Sequence, residues 1–267
     1  MTSRTLAFSR AVPATLRREW LSHRINRFFY WHLALLVAAG TLAVFVAPAQ
    51  AESGVAWFIL NAVLYAVSLS SLLFGLSSSQ AESEELPFLA TQPTGLGPWV
   101  IGKALGLASM VAPASLLLVV PGWITNGWSP LLGQLASASA GICIVLALLG
   151  LAIGLWIREP VRALIVAIGV WFALLFATDL LLLLAAGSPW IRDHAALWVV
   201  PLMANPLDAL RIMVMLTLER AAFSSLGSTP LVQWWIANAG TWLAACLLLW
   251  SLAAVAAAIA GATRIRK

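Results

Sequence analysis

Six long apolar stretches restrict what this chain can fold into more than any other feature of its sequence. A helix needs about 20 mainly apolar residues to cross the hydrocarbon core of a bilayer, which is roughly 30 Å thick. Lipid offers no hydrogen bonds, so a spanning segment must satisfy its own backbone groups, and no alternating ten-residue pattern of a membrane β-barrel is present. The sequence therefore predicts an all-α polytopic membrane protein with six transmembrane helices, at about residues 29–46, 55–76, 99–120, 131–157, 161–186 and 234–260.

The composition agrees with this fold class and excludes others. Hydrophobic residues make up 62% of the 267 residues and charged residues 9%, whereas about a quarter of the residues in soluble domains are charged. A soluble domain of this size could not bury so much apolar side chain. This excludes a soluble globular enzyme, a disordered tail and a nucleic-acid-binding module. The two cysteines lie within apolar stretches and form neither a disulfide framework nor a CxxC motif.

The basic residues predict the orientation of the spans. Twelve of the fifteen Lys and Arg residues lie before the first span, at Lys103, in the loop before the fifth span, or in the C-terminal tail. The other three lie in the last loop, at residues 187–233. Cytoplasmic segments carry the excess of Lys and Arg, so we expect both termini and the 77–98 loop to be cytoplasmic and the 187–233 loop to lie outside. The even number of spans agrees with this orientation.

Residues 1–28 form an N-terminal segment, residues 29–262 the transmembrane domain and residues 263–267 a basic tail. Between residues 14 and 28, basic and apolar side chains would occupy opposite sides of a helix. We expect an amphipathic helix in the interface plane, with a simple basic flank as the alternative. The small residues at 49–51 resemble a signal-peptide cleavage site, but the segment before the apolar run is too long for one. Five further spans also follow, so we expect the first run to remain a span.

The 77–98 loop is the least membrane-like stretch and carries the acidic residues Glu82, Glu84 and Glu85. Acidic groups on the inner side oppose the electrostatics of the membrane surface, so we expect them to serve a protein partner, with a merely solvated loop as the alternative. The apolar candidates for such a contact are Leu86, Phe88 and Leu89. Proline fits only the first turn of a helix, and Pro87 therefore predicts a short helix that begins near Glu85 or Leu86.

The 187–233 loop contains an N-cap signal, because Asn205 precedes Pro206. We expect a helix from about Pro206 to Arg220, on or dipping into the outer leaflet, with Asp208 and Arg211 in its first turns. Asp179 stands within the fifth span, where an isolated charge costs roughly 2.5–3.5 kcal/mol. It is either an acid facing a substrate path or dimer interface, or a residue near the outer end of the helix within reach of water.

Ligands for a metal are present but scattered. The soft candidates are Met110, Cys143, His194, Met203, Met213, Met215 and Cys246, and none of them falls in a tight cluster. We expect ordinary apolar packing, no metal site and no cofactor. The sequence has no HExxH, GxSxG or Walker A motif, so we expect no catalytic site in this chain.

The loop motif resembles that of type-2 ABC transporter permeases. In that family acidic residues, a short apolar helix and a Thr/Ser-x-Pro precede a Gly-Lys that opens the third span. The matching residues here are Glu82-Ser-Glu84-Glu85-Leu-Pro-Phe-Leu-Ala-Thr91-Gln-Pro93 and Gly102-Lys103. The six spans and the basic N-terminal helix are also similar. The resemblance implies the ABC-2 permease fold, an inner-membrane homodimer, two separate ATPase subunits, and a short coupling helix in the 77–98 loop that docks on the ATPase.

Two further stretches look most like the permease subunit of the nitrous-oxide-reductase maturation transporter. They are Gly169-Val-Trp-Phe-Ala-Leu-Leu-Phe-Ala-Thr-Asp179-Leu and Asn205-Pro206-Leu-Asp208-Ala-Leu-Arg211. This resemblance implies a role in maturing a periplasmic copper enzyme, with a periplasmic accessory protein at the outer loop. The alternatives are an ABC-2 exporter of lipid, drug or polysaccharide and, from another class, a membrane-embedded lipid-modifying enzyme. The enzyme would need several catalytic groups at one membrane depth, and only Asp179 is charged well inside a span.

Overall fold

A computed structural model describes residues 3–23, 26–47, 51–82, 85–91, 96–185, 196–218 and 230–264. Every regular element in those ranges is helical. Six helices are long and apolar enough to cross a membrane, which confirms the predicted all-α fold and the predicted number of spans. We number them from the first to the sixth span: Arg27–Val46, Ser53–Ala81, Leu96–Asn126, Pro130–Trp156, Pro160–Leu181 and Ala237–Thr263.

Four further helices in the described ranges lie outside the spans. The N-terminal helix covers Ser3–His23, and a separate helix, the first span, follows it. Asn26 divides the two because its side chain caps the first span, accepting a hydrogen bond from the Phe28 backbone N–H. Phe28 therefore belongs to the first span and not to the N-terminal helix. The other three are the loop helix Leu86–Ala90 and the two helices of the outer hairpin, Ala196–Ala204 and Pro206–Leu218.

The third span extends further than its sequence indicates. A Pro-Gly pair at residues 121–122 predicts an end at Val120, but a 3₁₀ turn at Ser115–Leu118 is followed by another helical segment, Val120–Asn126. Pro121 lies in the first turn of that segment, where proline costs nothing. The predicted end is therefore wrong. The 31 residues of the span reach about 46 Å, roughly 16 Å more than a hydrocarbon core.

The second and fourth spans are in the closest contact. A Cβ at Gly75 would collide with the carbonyl oxygen of Ala147, and a Cβ at Gly150 with that of Leu72. Small residues allow two backbones in a membrane to approach this closely, since packing rather than the hydrophobic effect holds spans together. The fourth span is accordingly the most buried of the six, and the fifth the least.

Both ends of the described chain lie at the same end of the bundle. The Trp156 indole N–H donates to the Ala257 carbonyl at 2.7 Å, and the Arg264 guanidinium lies 4.0 Å above the Trp156 ring. The N-terminal helix contacts Lys103, near the start of the third span. We call this end, which carries the 77–98 loop, the inner end, and the opposite one the outer end, after the predicted topology. Which face of a membrane each end meets stays a prediction.

The close helix contact predicts the effect of a single methyl group. Gly150→Ala should destabilise the protein by about 1–3 kcal/mol, because the new Cβ must displace the second span. Gly169→Ala is the matched control, since a Cβ there meets nothing within 4 Å. Thermal unfolding of the purified protein measures both. Equal stability of the two variants would contradict the described packing.

The predicted orientation can be tested with two exposed positions. Thr91 ends the loop helix, and Asn126 ends the third span at the opposite end of the bundle. A membrane-impermeant thiol reagent added from outside should label Asn126→Cys and miss Thr91→Cys. Both native cysteines are buried, so background labelling should be low. Ser78 is unsuitable as the inner probe because it is buried, and Ser188 lies outside the described residues. The reverse labelling pattern would contradict the assignment.

Candidate functional site

A cluster of charged side chains connects three elements at the inner end. The Lys103 ammonium lies 2.9 Å from Glu19 Oε1 and 3.3 Å from Glu82 Oε2. The side chains of Lys103 and Glu19 are 1% and 0% exposed. Ser78 donates a further hydrogen bond to Glu19 at 3.4 Å. Together with Arg18 and Glu85, these residues form what we call the ion cluster.

Two glycines bring the N-terminal helix against the third span. A Cβ at Gly102 would lie 2.7 Å from the Thr15 Cβ, and a Cβ at Gly106 would lie 2.8 Å from the Glu19 Cβ. This small-xxx-small spacing gives Glu19 direct access to Lys103. One turn further along, the Trp20 indole N–H donates to Ser109 Oγ at 2.9 Å.

Arg18 extends the ion cluster to the loop helix. Its guanidinium lies 3.6 Å from Glu82 Oε1 and donates a short hydrogen bond to Glu85 Oε2. Glu85 directly precedes the loop helix, which begins at Leu86 as predicted, with Pro87 in its first turn. The N-terminal helix, the start of the third span and the loop helix are thus joined by charge pairs.

Burying the charges of the ion cluster costs free energy, so each buried charge needs an opposite charge beside it. Removing a charge from water costs several kcal/mol, which is regained only if opposite charges and hydrogen bonds surround it. Burial raises the pKa of Glu82, while the charge of Lys103 acts in the opposite direction. The Lys103 ammonium also lies 5.6 Å from the centre of the Trp99 ring, which adds a cation–π contact.

The apolar candidates of the loop separate into two groups. Leu86 is buried, and Leu89 is half-buried against the core. Phe88 is 72% exposed and projects from the loop helix. Of the acidic candidates, Glu82 faces inward to Lys103 and Glu85 pairs with Arg18, while Glu84 lies outside the described residues. Among the described candidates, the side chain left available for another protein is therefore Phe88.

A second polar cluster lies at the outer end and brings together the two stretches singled out in the sequence. Arg211 donates to Asp179 Oδ2 at 2.9 Å, and its guanidinium lies 3.6 Å from Asp208 Oδ1. Asp179 lies in the first turn of the last helical segment of the fifth span, Thr178–Ala185. It is not isolated, because Arg211 balances its charge. Asp208 is buried, and its burial raises the pKa of the carboxyl group.

Asn205 is at the centre of this outer polar cluster, which we define as Thr178, Asp179, Asn205, Asp208 and Arg211. Its side-chain oxygen accepts from the Leu207 backbone N–H at 3.1 Å, and the helix it caps begins at Pro206, as predicted. The described part of that helix reaches Leu218, and its expected end near Arg220 lies outside the described residues. The side-chain nitrogen of Asn205 donates to Asp208 Oδ2 at 2.6 Å.

The sixth span fixes the outer hairpin from its other side. The indole N–H groups of Trp242 and Trp250 donate to the carbonyl oxygens of Met203 and Ala204 at 2.9 and 2.8 Å. Both carbonyls belong to the last turn of the first hairpin helix, where helical partners are lacking. This first helix, which contains Pro201 in its interior, was not predicted from the sequence.

The residues that sequence reasoning missed are Arg18 and Glu19, and Lys103 entered only as part of a motif. A signal for them existed: Glu19 is an acidic residue within a basic amphipathic segment, and Gly102 and Gly106 have helix-packing spacing. Their partners lie about 60 to 85 residues away in sequence. No local pattern connects positions so far apart.

Within the described part of the chain, no three His, Cys, Asp or Glu side chains are placed to hold one metal ion together. In comparisons with known proteins, no family model matches the chain and no curated protein is significantly similar to it.

Removing one buried charge of the ion cluster should strongly destabilise the protein, and removing an opposite charge as well should reverse part of that loss. Lys103→Met should destabilise the protein by about 3–5 kcal/mol, because it leaves the Glu19 and Glu82 carboxylates buried without their shared cation. Adding Glu19→Gln should recover part of that loss. Arg162→Met is the control, since its exposed pair with Glu159 is worth at most about 1 kcal/mol. Thermal unfolding measures all three, and a Lys103→Met variant as stable as the control would contradict the cluster's role.

Proposed function

We propose that this chain is the membrane-spanning permease subunit of an ABC transporter, driven by a separate ATPase subunit that docks at the inner end. The observation that carries the proposal is the loop helix, which exposes Phe88 while the ion cluster attaches it to the N-terminal helix and the third span. An exposed aromatic residue on a firmly held helix is suited to fill a groove on a partner, because buried aromatic anchors dominate interface energies.

The ion cluster gives this docking surface a mechanical role. A displacement of the loop helix moves Glu82 and Glu85, and therefore Arg18, Lys103 and the helices that carry them. Breaking the buried pairs of Lys103 with Glu19 and Glu82 would cost several kcal/mol, so the N-terminal helix, the third span and the end of the second span move as one unit. The exposed Arg18–Glu85 pair and the buried Leu86 side chain join the loop helix to this unit. ATP-driven closure of the ATPase subunits would in this way reach the third span directly and the second span through Glu82, which follows its last turn.

The proposed assembly is a homodimer of this chain with two ATPase subunits in a bacterial inner membrane. The least buried span, the fifth, supports this assembly, since a second copy or lipid must cover its outward side chains. The exposed large apolar residues on it are Val161, Leu164, Ile165, Val166, Ile168, Phe172, Leu180 and Leu181.

The finer assignment is support of the maturation of a periplasmic copper enzyme, nitrous oxide reductase, with an accessory protein at the outer end. What supports it is the meeting of Asp179 with Asn205, Asp208 and Arg211 in one cluster. These residues come from the two stretches that resemble the corresponding permease. The chain itself is proposed to do mechanical work and to carry no catalytic site.

A second candidate function is the export of a lipid or another amphiphile. A groove of about 400 Å³ between the fourth span, the sixth span and the outer hairpin favours it. Its walls combine apolar side chains such as Leu243 and Leu247 with Gln134, Ser137 and Thr217. Reconstitution with a fluorescent phospholipid separates the two candidates, since only an exporter moves the probe in an ATP-dependent way.

The docking role of the loop helix predicts the effect of one truncation. Phe88→Ala should weaken association with the ATPase subunit by roughly 1–3 kcal/mol, as truncation of an interface anchor does. The measurement is recovery of the ATPase in a pull-down with tagged permease at equal membrane levels. Phe45→Ala is the matched control, because Phe45 is similarly exposed, at 77%, but lies at the outer end of the first span.

The purified permease alone should hydrolyse no ATP, and the complex should contain the two kinds of subunit in equal numbers. Unchanged ATPase recovery with Phe88→Ala would exclude the loop helix as the docking element. ATP hydrolysis by the isolated chain would contradict the permease assignment.

A further inference from the structure

The fifth span is not a regular α-helix. Residues Ala173–Ala177 form a π-helical turn between the α-helical segments Pro160–Phe172 and Thr178–Ala185. Backbone N–H groups in a π-turn bond five residues back instead of four, so the turn holds one residue more than an α-turn. Such turns are rare and less favourable than α-helix, and they persist where their surroundings support them.

The support comes from the outer hairpin. The Asn205 side-chain nitrogen donates to the Leu174 carbonyl oxygen, inside the π-turn, at 2.5 Å, and lies 3.1 Å from the Thr178 hydroxyl, directly after it. One residue further along, Asp179 is bonded to Arg211 of the hairpin at 2.9 Å. The hairpin therefore contacts the fifth span inside the π-turn and at the first two residues beyond it.

These contacts differ from the capping role of the same side chain. The cap uses the Asn205 oxygen, which accepts from the Leu207 N–H, whereas the contacts with the π-turn use its nitrogen. A residue that only caps a helix needs an acceptor, and serine supplies one as well as asparagine. The amide donor is therefore a separate feature: it donates to Asp208 in its own helix and, across to another element, to the backbone carbonyl of Leu174.

The chain contains an internal comparison. The second span also has a π-turn, at Val63–Val67, and the Ser68 hydroxyl that follows it accepts from the Trp171 indole at 2.9 Å. That contact joins the second span to the part of the fifth span before its own π-turn. It should therefore be insensitive to events after residue 177.

We propose that Asn205 is a latch that holds the fifth span in one of two hydrogen-bond registers, so that the position of the outer hairpin sets the orientation of the span's outer end. When Asn205 releases Leu174 and Thr178, the π-turn can become a regular α-helical turn, which holds one residue fewer. Thr178–Ala185 then rotates by about 100° and shifts by about 1.5 Å relative to the inner part of the span. Asn205 acts as a positioning residue, and the inference does not depend on the permease assignment.

The test compares two cysteine pairs in a chain whose Cys143 and Cys246 are replaced by alanine. Asp179→Cys with Arg211→Cys reports the outer end, and Ser68→Cys with Trp171→Cys reports the part before the π-turn. Both pairs should react with a short bifunctional thiol reagent in membranes. Asn205→Ser keeps the cap but lacks the amide donor. It should abolish cross-linking of the outer pair and leave the control pair unchanged.

A deletion distinguishes the latch from a purely structural contact. Removing Ala173 turns the π-turn into an α-turn without changing the register of the residues that follow. In a chain that keeps Asn205, the Ala173 deletion should therefore leave the outer cross-link intact. In the Asn205→Ser chain, the same deletion should restore the outer cross-link. Removing Ala66 from the other π-turn is the matched control and should restore nothing.

Three results would overturn the proposal. The first is an outer cross-link that survives Asn205→Ser, and the second is loss of the control cross-link in that variant, which would indicate general unfolding. The third is failure of the Ala173 deletion either to keep the outer cross-link or to restore it, which would leave Asn205 as a helix cap alone.

Discussion

The need to satisfy polar groups without water governs this structure. A chain with six apolar spans offers few aqueous surfaces, so each charge or free carbonyl near the bundle must find its partner within the protein. The Lys103–Glu19 pair meets this need at the inner end, and Asn205 with Arg211 meets it at the outer end. The two clusters stand where helices of different sequence position meet. The same contacts that remove the electrostatic cost also fix how those helices are joined.

The inner cluster changes how the acidic loop is understood. Glu82 and Glu85 are not a free docking patch, because Lys103 and Arg18 occupy them within the chain. Their effect on the proposed ATPase partner would therefore be indirect: they hold the loop helix, and Phe88 is the residue proposed to make the contact. In this proposal the residues that transmit force are separate from the residue that gives affinity. A substitution in the ion cluster should affect the stability of the protein, and a substitution of Phe88 should affect association with the partner.

At the outer end, backbone carbonyl groups also need hydrogen-bond partners from within the protein. The π-turn of the fifth span needs support, and the hairpin supplies an amide donor to it while the sixth span holds the hairpin through two tryptophans. The fifth span is also the least buried of the six, so few other contacts fix its outer end. A small number of directional bonds can therefore decide its register. In a tightly packed span, such as the fourth, side-chain interlocking would prevent any such change.

Much of the fold could be predicted from the sequence, because spans, breaks and caps depend on neighbouring residues. The six apolar runs, the helix start at Leu86 enforced by Pro87 and the cap at Asn205 all follow from local chemistry and match the structure. The predicted end of the third span was wrong, because a proline at the start of a helix and a proline after a helix look alike in sequence. The tertiary structure alone decided that Glu19 reaches Lys103, that Asp179 meets Arg211 and that Asn205 donates to Leu174. These pairs join residues about 30 to 85 positions apart, and only the packing of helices determines which distant polar groups become neighbours.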